Sequence, residues 1–251
     1  VVLASGSGVR VGGELNKVYL PLGGRSIVAW SLRAFAATAG VAALLLVIRP
    51  QDETLADGVL AAERADPMRQ PFRKPNDMAE PSGGIRPPGL PVEIIHGGAQ
   101  RQDSELMALR HLAPRIVSGQ LDVVLMHDAA RPLVSQELIR AVLAAAAEPG
   151  GAVPGVPRRG LVMASEDGSV AEADLGTMMA MQTPQGFPAG PMLAAYEQAA
   201  AEGFYGTDTA ACMTRHTGLP ARCIPGDERN IKVTYPHDLV IAEKFLASSS
   251  P

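Results

Sequence analysis

The chain has 251 residues, 47% of them hydrophobic and 19% charged, with a formal net charge of −4. That apolar content excludes a disordered chain, and the length allows one large α/β domain or two small ones, with a substantial core. The charge excludes global attraction to nucleic acid or an anionic membrane, so any phosphate recognition must be local.

No apolar run reaches the ~18 residues that crossing a bilayer needs. Cys212 and Cys223 lie far from metal-ligand spacing. They read as reduced thiols of a cytoplasmic protein, with one disulfide as the alternative. The chain begins inside a strand-like run with neither Met nor a charged leader, so a preceding segment is expected and a signal peptide stays open.

Val1 to Leu3 predict a buried strand, and Ala4-Ser5-Gly6-Ser7-Gly8 remove side-chain bulk where it ends. Such residues let backbone N–H groups approach an anion, and Arg10 and Lys17 add two movable cations. Position 11 is Val and Lys17 follows Asn16, so neither the dinucleotide fingerprint nor the Walker pattern fits. A phosphate cradle is the reading.

Ser26 to Thr38 have helical spacing, with Ile27, Trp30 and Phe35 inward, and Gly40 closes the helix. Val41 to Ile48 predict a strand buried on both faces, and Leu55 to Ala65 another helix. This alternation predicts a parallel sheet with helices on both sides. Residues 66–91 break the rhythm with seven prolines and predict an extended loop insertion, tolerated at a surface.

Val92 to Ile95 predict a strand that leads through Gly97-Gly98 to a helix over Glu105 to His111, a second anion-facing turn. Asp103 and Ser104 serve there as N-caps, ligands or both. Asp122 to Met126 predict the next strand, with His127-Asp128-Ala129-Ala130-Arg131-Pro132 at its carboxyl end, where open α/β sheets collect ligands. Asp128 is the best single candidate to hold Mg²⁺ or a sugar hydroxyl; a structural Asp128–Arg131 ion pair is the alternative.

The HDAARP hexapeptide, with the glycine loop, Thr183-Pro184-Gln185-Gly186-Phe187, Thr207-Asp208, Asn230-Ile231-Lys232-Val233-Thr234 and Asp238-Leu239, resembles the 2-C-methyl-D-erythritol 4-phosphate cytidylyltransferases. The resemblance spans nearly the whole chain apart from the proline-rich insertion. It implies a single domain over 1–251 with a Rossmann-like three-layer α/β/α nucleotidyltransferase fold and a mostly parallel sheet. It also implies an NIKVT strand, and an extended β-arm near 158–175 that helps build a homodimer.

The implied reaction is Mg²⁺-dependent transfer of a cytidylyl group from CTP to a polyol phosphate. The implied catalytic residues are Arg10, Lys17 and Lys232. Ala4, Ser5, Gly6, Ser7, Gly8, Gly97, Ser104 and Ala129 surround the nucleotide, while Asp128, Arg131, Thr207 and Lys232 serve the acceptor, with Asp128 also the metal ligand. Two family elements are absent. Arg158-Arg159-Gly160 stand where Asp-Thr-x-Lys is usual, and Leu175 follows Asp174 where an arginine clamps the acceptor phosphate. Leucine cannot supply that guanidinium fork. Another acceptor, such as ribitol 5-phosphate, and a catalytically weak nucleotide-binding paralog therefore stay open beside the main reading.

Overall fold

A computed structural model describes residues 1–6, 15–65, 90–148, 150–161, 163–167, 169–171 and 177–248. Most of the glycine loop (Ser7, Gly8 and Arg10 included), most of the proline-rich insertion and Leu175 lie outside the described residues.

Strand β1 (Val2–Leu3) runs into the loop, and a 3-10 turn at Lys17–Tyr19 brings the chain out of it. A small hairpin, β2 (Pro21–Leu22) and β3 (Arg25–Ser26), turns through Gly23 and Gly24, both at positive φ, the conformation glycine supplies freely. Helix α1 (Ile27–Ala37), β4 (Leu44–Ile48), α2 (Glu53–Ala65), β5 (Val92–His96), α3 (Arg101–Val117), β6 (Val123–Asp128) and α4 (Gln136–Ala146) follow in the predicted alternation. Then come β7 (Gly151–Pro157), β8 (Met163–Ala164), β9 (Val170–Ala171), β10 (Met179–Met181) and β11 (Gln185–Pro188). Helices α5 (Ala189–Glu202) and α6 (Thr209–Thr217), β12 (Ala221–Pro225) and α7 (Pro236–Ala247) complete the chain.

The main sheet has the order β5-β4-β1-β6-β11-β7-β10, with β12 on the other side of β7. β5, β4, β1 and β6 pair in parallel, as do β7 and β12; β11 and β10 pair antiparallel to their neighbours. Strand alternation divides the apolar run of β4 cleanly. Leu44, Leu46 and Ile48 face α1, α2 and α4, with Val28, Leu32, Phe35, Leu60 and Ile139. Leu45 and Val47 face α3, α5 and α6, with Leu109, Met192, Tyr196 and Met213. The three-layer α/β/α architecture follows from that division.

Several boundaries differ from the sequence expectation. β4 starts at Leu44 rather than Val41, because Gly40 at φ 91° and the following residues complete the turn out of α1. α3 starts at Arg101 rather than Glu105 and runs to Val117. Gln100 caps it and the Asp103 carboxylate accepts from the Gln100 N–H at 2.9 Å, so Asp103 sits at the third helical position and closes a capping box. Pro114, one turn from the end, does not break the helix.

Trp30 does not enter the sheet core. It covers the β2–β3 hairpin, donating from Nε1 to the Leu22 carbonyl at 2.8 Å, beside Ile27 and α7. Residues 230–234 form an extended connection rather than a strand, joined to the HDAARP segment by Val233 N–H donating to the Ala130 carbonyl at 2.8 Å. The described part of the arm is a hairpin. β8 pairs antiparallel with β9, and the Asp167 carboxylate accepts from the Ser169 N–H and hydroxyl. Both cysteines are free, Cys212 buried and Cys223 exposed. Among the described residues no helix is long and apolar enough to cross a membrane.

Candidate active site

The carboxyl ends of β1, β4, β5 and β6 open onto one cleft of about 600 Å³. Ala4, Ser5 and Gly6 line it from β1, Arg49 and Pro50 from β4, Gly97 and Gly98 from β5, and Asp128 and Ala130 from β6. Lys17, Arg101 and Lys232 join Arg49 there, so among the described residues four cations line it.

Asp128 is the electrostatic centre. Its Oδ2 lies 2.7 Å from Lys232 Nζ and its Oδ1 lies 3.5 Å from the Arg101 guanidinium. Burial would raise its carboxyl, but Arg101 and Lys232 outweigh it and hold the group well below the usual carboxylate range. Arg101 also lies 3.2 Å from Glu105, four residues on along α3. Glu105 is buried and accepts from Tyr196 Oη and Thr209 Oγ1, each at 2.8 Å. Burial raises its carboxyl, against the pull of Arg101. A line of alternating charge thus runs from the core to the cleft: Glu105, Arg101, Asp128, Lys232.

His127 holds the Asp128 end of β6 in place. The Arg131 carbonyl can only accept, so His127 Nε2 donates to it at 3.2 Å. Nδ1 then accepts from Thr183 Oγ1, also at 3.2 Å, and that oxygen accepts from the Asp128 N–H at 3.0 Å. Burial lowers the imidazole to about 3, so it is neutral. The glycine turn is built on Ser104. Its hydroxyl accepts from Ser5 Oγ (2.9 Å) and from the Gly98 N–H (3.1 Å) and donates to the Gln100 carbonyl. A Cβ at Gly97 would collide with Ser104 and Ser5, and one at Gly98 with Asp103, so the turn must be glycine to lie on α3.

The structure brings Ala4, Ser5, Gly6, Lys17, Gly97, Asp128 and Lys232 together at the cleft. Four expected residues stand elsewhere. Ser104 is buried beneath the turn with its hydroxyl committed. Ala129 packs in the core against α1, and Ala130 takes its place on the cleft wall. Arg131 points sideways, donating to the carbonyls of Asn230 (2.7 Å) and Met181 (3.3 Å), and forms no ion pair with Asp128. Thr207 is exposed away from the cleft, while Asp208 caps α6 by accepting from the Ala211 N–H. Arg158 and Arg159 are exposed and do not line the cleft either.

Sequence reasoning missed Arg101, whose signal was an acidic partner at i+4 on a helix facing the glycine turn. It also missed Asn16, Arg49 and Asp52, which are joined by hydrogen bonds.

Among the described residues Asp128 is the single carboxylate lining the cleft, and no group of three His, Cys, Asp or Glu is placed to hold a metal. The donor set therefore fits Mg²⁺ only as an ion bound chiefly by substrate phosphates, with one protein carboxylate beside it.

The cleft's place at the carboxyl ends of the parallel strands, with Lys17, Arg49, Arg101 and Lys232 around it, suits an α/β nucleotidyltransferase. The family model for 2-C-methyl-D-erythritol 4-phosphate cytidylyltransferase (IspD) matches residues 1–248, and the chain belongs to that family. It is 36% identical over 252 residues to the enzyme of that name from Geobacter metallireducens, covering 100% of this chain and 98% of the relative. The crystal structure of the enzyme of that name from Thermus thermophilus superposes with a TM-score of 0.68 at 27% identity, over 98% of this chain and 97% of that one. A 4-diphosphocytidyl-2C-methyl-D-erythritol synthase structure from Anaerococcus prevotii, at 22% identity and TM-score 0.76, covers 98% and 94% and shares the fold.

Proposed function

We propose that this protein makes 4-diphosphocytidyl-2-C-methyl-D-erythritol and pyrophosphate from CTP and 2-C-methyl-D-erythritol 4-phosphate. Membership of the family, whose model spans 1–248, carries the reading. A phosphate oxygen of the acceptor attacks the α-phosphorus, and the bond to the pyrophosphate oxygen breaks. The attacking group is already anionic, so no general base is needed, and catalysis comes from positioning and charge neutralisation. Lys17 is assigned to the triphosphate, with Ser5 and Gly6 at the start of its cradle; Arg10, Ser7 and Gly8, outside the described residues, keep the roles the resemblance implies. Lys232, paired with Asp128 at 2.7 Å, meets the acceptor side. Mg²⁺, when bound, supplies further neutralisation of the phosphates beside Asp128.

A homodimer built through the arm is part of this reading. The exposed Leu161, Met178 and Met181 around the arm's base support it, since apolar groups so placed favour an interface. The test is pyrophosphate release from CTP and Mg²⁺ with the methylerythritol acceptor. Sustained turnover is expected, and CTP binding without turnover would overturn the reading. Because neither Arg158 nor Arg159 lines the cleft, ribitol 5-phosphate belongs in the same assay. Preference for it would move the assignment to the other acceptor.

A further inference from the structure

A second hydrogen-bonded network, of Asn16, Asp52 and Arg49, reaches the cleft through Asn16 and Arg49. Asn16 and Asp52 are buried polar residues, 1% and 2% exposed, and Asn16 lines the cleft. The Asn16 side-chain amide donates one hydrogen to the Ala4 carbonyl at 2.8 Å and the other to Asp52 Oδ2 at 2.9 Å. Both partners only accept, which fixes the amide orientation. Its oxygen faces the Val18 N–H at 3.4 Å and caps the 3-10 turn that begins at Lys17.

Ala4 is where the glycine loop begins and Asn16 is where it ends, so the carboxamide staples the exit of the loop onto its entrance. Ala4 is itself pinned to β4, its N–H donating to the Val47 carbonyl at 2.8 Å. Asp52 is pinned as firmly. Arg49 grips it through Nε (2.8 Å) and NH2 (2.7 Å), and the Asp52 N–H donates to the Arg49 carbonyl at 2.9 Å. The bidentate fork leaves the carboxylate one orientation, with Oδ2 shared between Arg49 and Asn16.

We infer that Asn16 and Asp52 are positioning residues that set Lys17 over the cleft by tying the end of the glycine loop to the ends of β1 and β4. Lysine is a point charge on a flexible stem, so its catalytic value depends on where its backbone is held. A displacement of ~1 Å in such a group costs about 10²-fold in rate. Asn16 is adjacent to Lys17 in the chain, and both hydrogens of its side-chain amide are committed to Ala4 and Asp52. On this inference its effect on the reaction passes through Lys17, which a double-mutant cycle tests.

The inference rests on the role proposed for Lys17, and a double-mutant cycle on the full chain separates the two. kcat/KM is measured by pyrophosphate release for Asn16→Ala, Asp52→Asn and Lys17→Ala, and for each of the first two combined with Lys17→Ala. Melting temperatures are taken in parallel. Asn16→Ala and Asp52→Asn should each lower kcat/KM at least ~10-fold when Lys17 is present and less than ~3-fold when it is absent, because residues acting as one unit are not additive. Equal losses in both backgrounds would overturn the inference while leaving Lys17 in its role. Near-normal turnover of Lys17→Ala would remove both. Unfolding of Asn16→Ala and Asp52→Asn alike at 25 °C would make the staple a stability element only, and the inference would fall.

Discussion

Arg131 offers the sharpest test of the site's anatomy, because its place in HDAARP suggested a substrate ligand and its side chain does something else. The guanidinium donates to the Asn230 carbonyl at 2.7 Å and to the Met181 carbonyl at 3.3 Å, joining two loops to the end of β6. Arg131→Met keeps the apolar stem and removes both donors. A hydrogen bond from a charged donor contributes about 1.5–3 kcal/mol, and the longer contact to Met181 contributes at the low end. Burial disfavours this cation and Asp128 favours it, with Arg101 opposing it again; the net is a lowered pKa, which offsets a small part of the loss. The net expectation is a destabilisation of about 2–3 kcal/mol. For a protein this size that lowers Tm by roughly 5–10 °C.

Turnover should fall with stability, since Lys232 follows Asn230 by two residues and loses its anchor. The assays are thermal melting and steady-state kinetics with the acceptor varied. A Tm within ~1 °C of wild type together with a tenfold rise in acceptor KM would refute this account, and would return Arg131 to the ligand shell.

Three further outcomes follow from burial and contact. His127 is held neutral with its pKa near 3, so the unfolded chain binds the extra proton between about pH 6.5 and 3 and stability falls as pH drops through that window. Moving from pH 7 to pH 5 should remove about 2 kcal/mol in urea unfolding, and His127→Phe should flatten that difference; an unchanged slope counts against a buried neutral imidazole. Asp128 adds loss only at lower pH, where carboxylates protonate, because its carboxyl is depressed. Of the two thiols, Cys223 should react with a disulfide reagent at once and Cys212 only after denaturation, since burial pushes the Cys212 thiol up to about 11. Two fast thiols would contradict the packing of α6. A Cβ at Gly151 would overlap the Phe187 ring, so Gly151→Ala should lower Tm by several degrees, whereas Gly190→Ala, with open space, should not.

The layers were legible because their signals are local. A run such as Leu44 to Ile48 needs no partner to read as a buried strand, and Asp128 stands out as a charge at the end of another. Lys17 and Lys232 were legible as cations beside loops. Arg131 was misplaced because motif adjacency says nothing about side-chain direction: its N–H donates to the Asp128 carbonyl at 2.9 Å, and the turn this closes swings it out of the cleft. Ala129 and Ala130 exchanged roles for the same reason. Asn16 and Asp52 were illegible because their bond spans 36 positions, and nothing near either residue announces the other. Arg101 was lost to a helix boundary drawn four residues late.

The network through Asp128 also explains how an acidic chain keeps a cationic cleft without leaving charges unbalanced. Lys232 would be a poor phosphate ligand if releasing Asp128 left that carboxylate buried and bare, since breaking a buried pair from one side is costly. On the proposed function Arg101 would prevent this, staying beside Asp128 Oδ1 while the Lys232 ammonium, on the Oδ2 side and partly exposed, turned its donors to an incoming anion. Arg101 in turn stays because Glu105 holds it from below, and Glu105 is fixed by Tyr196 and Thr209 on the two helices behind it. The charges from Glu105 to Lys232 are thus balanced within the folded chain, so on the proposed function binding would move one flexible ammonium and leave the rest of that line as folded.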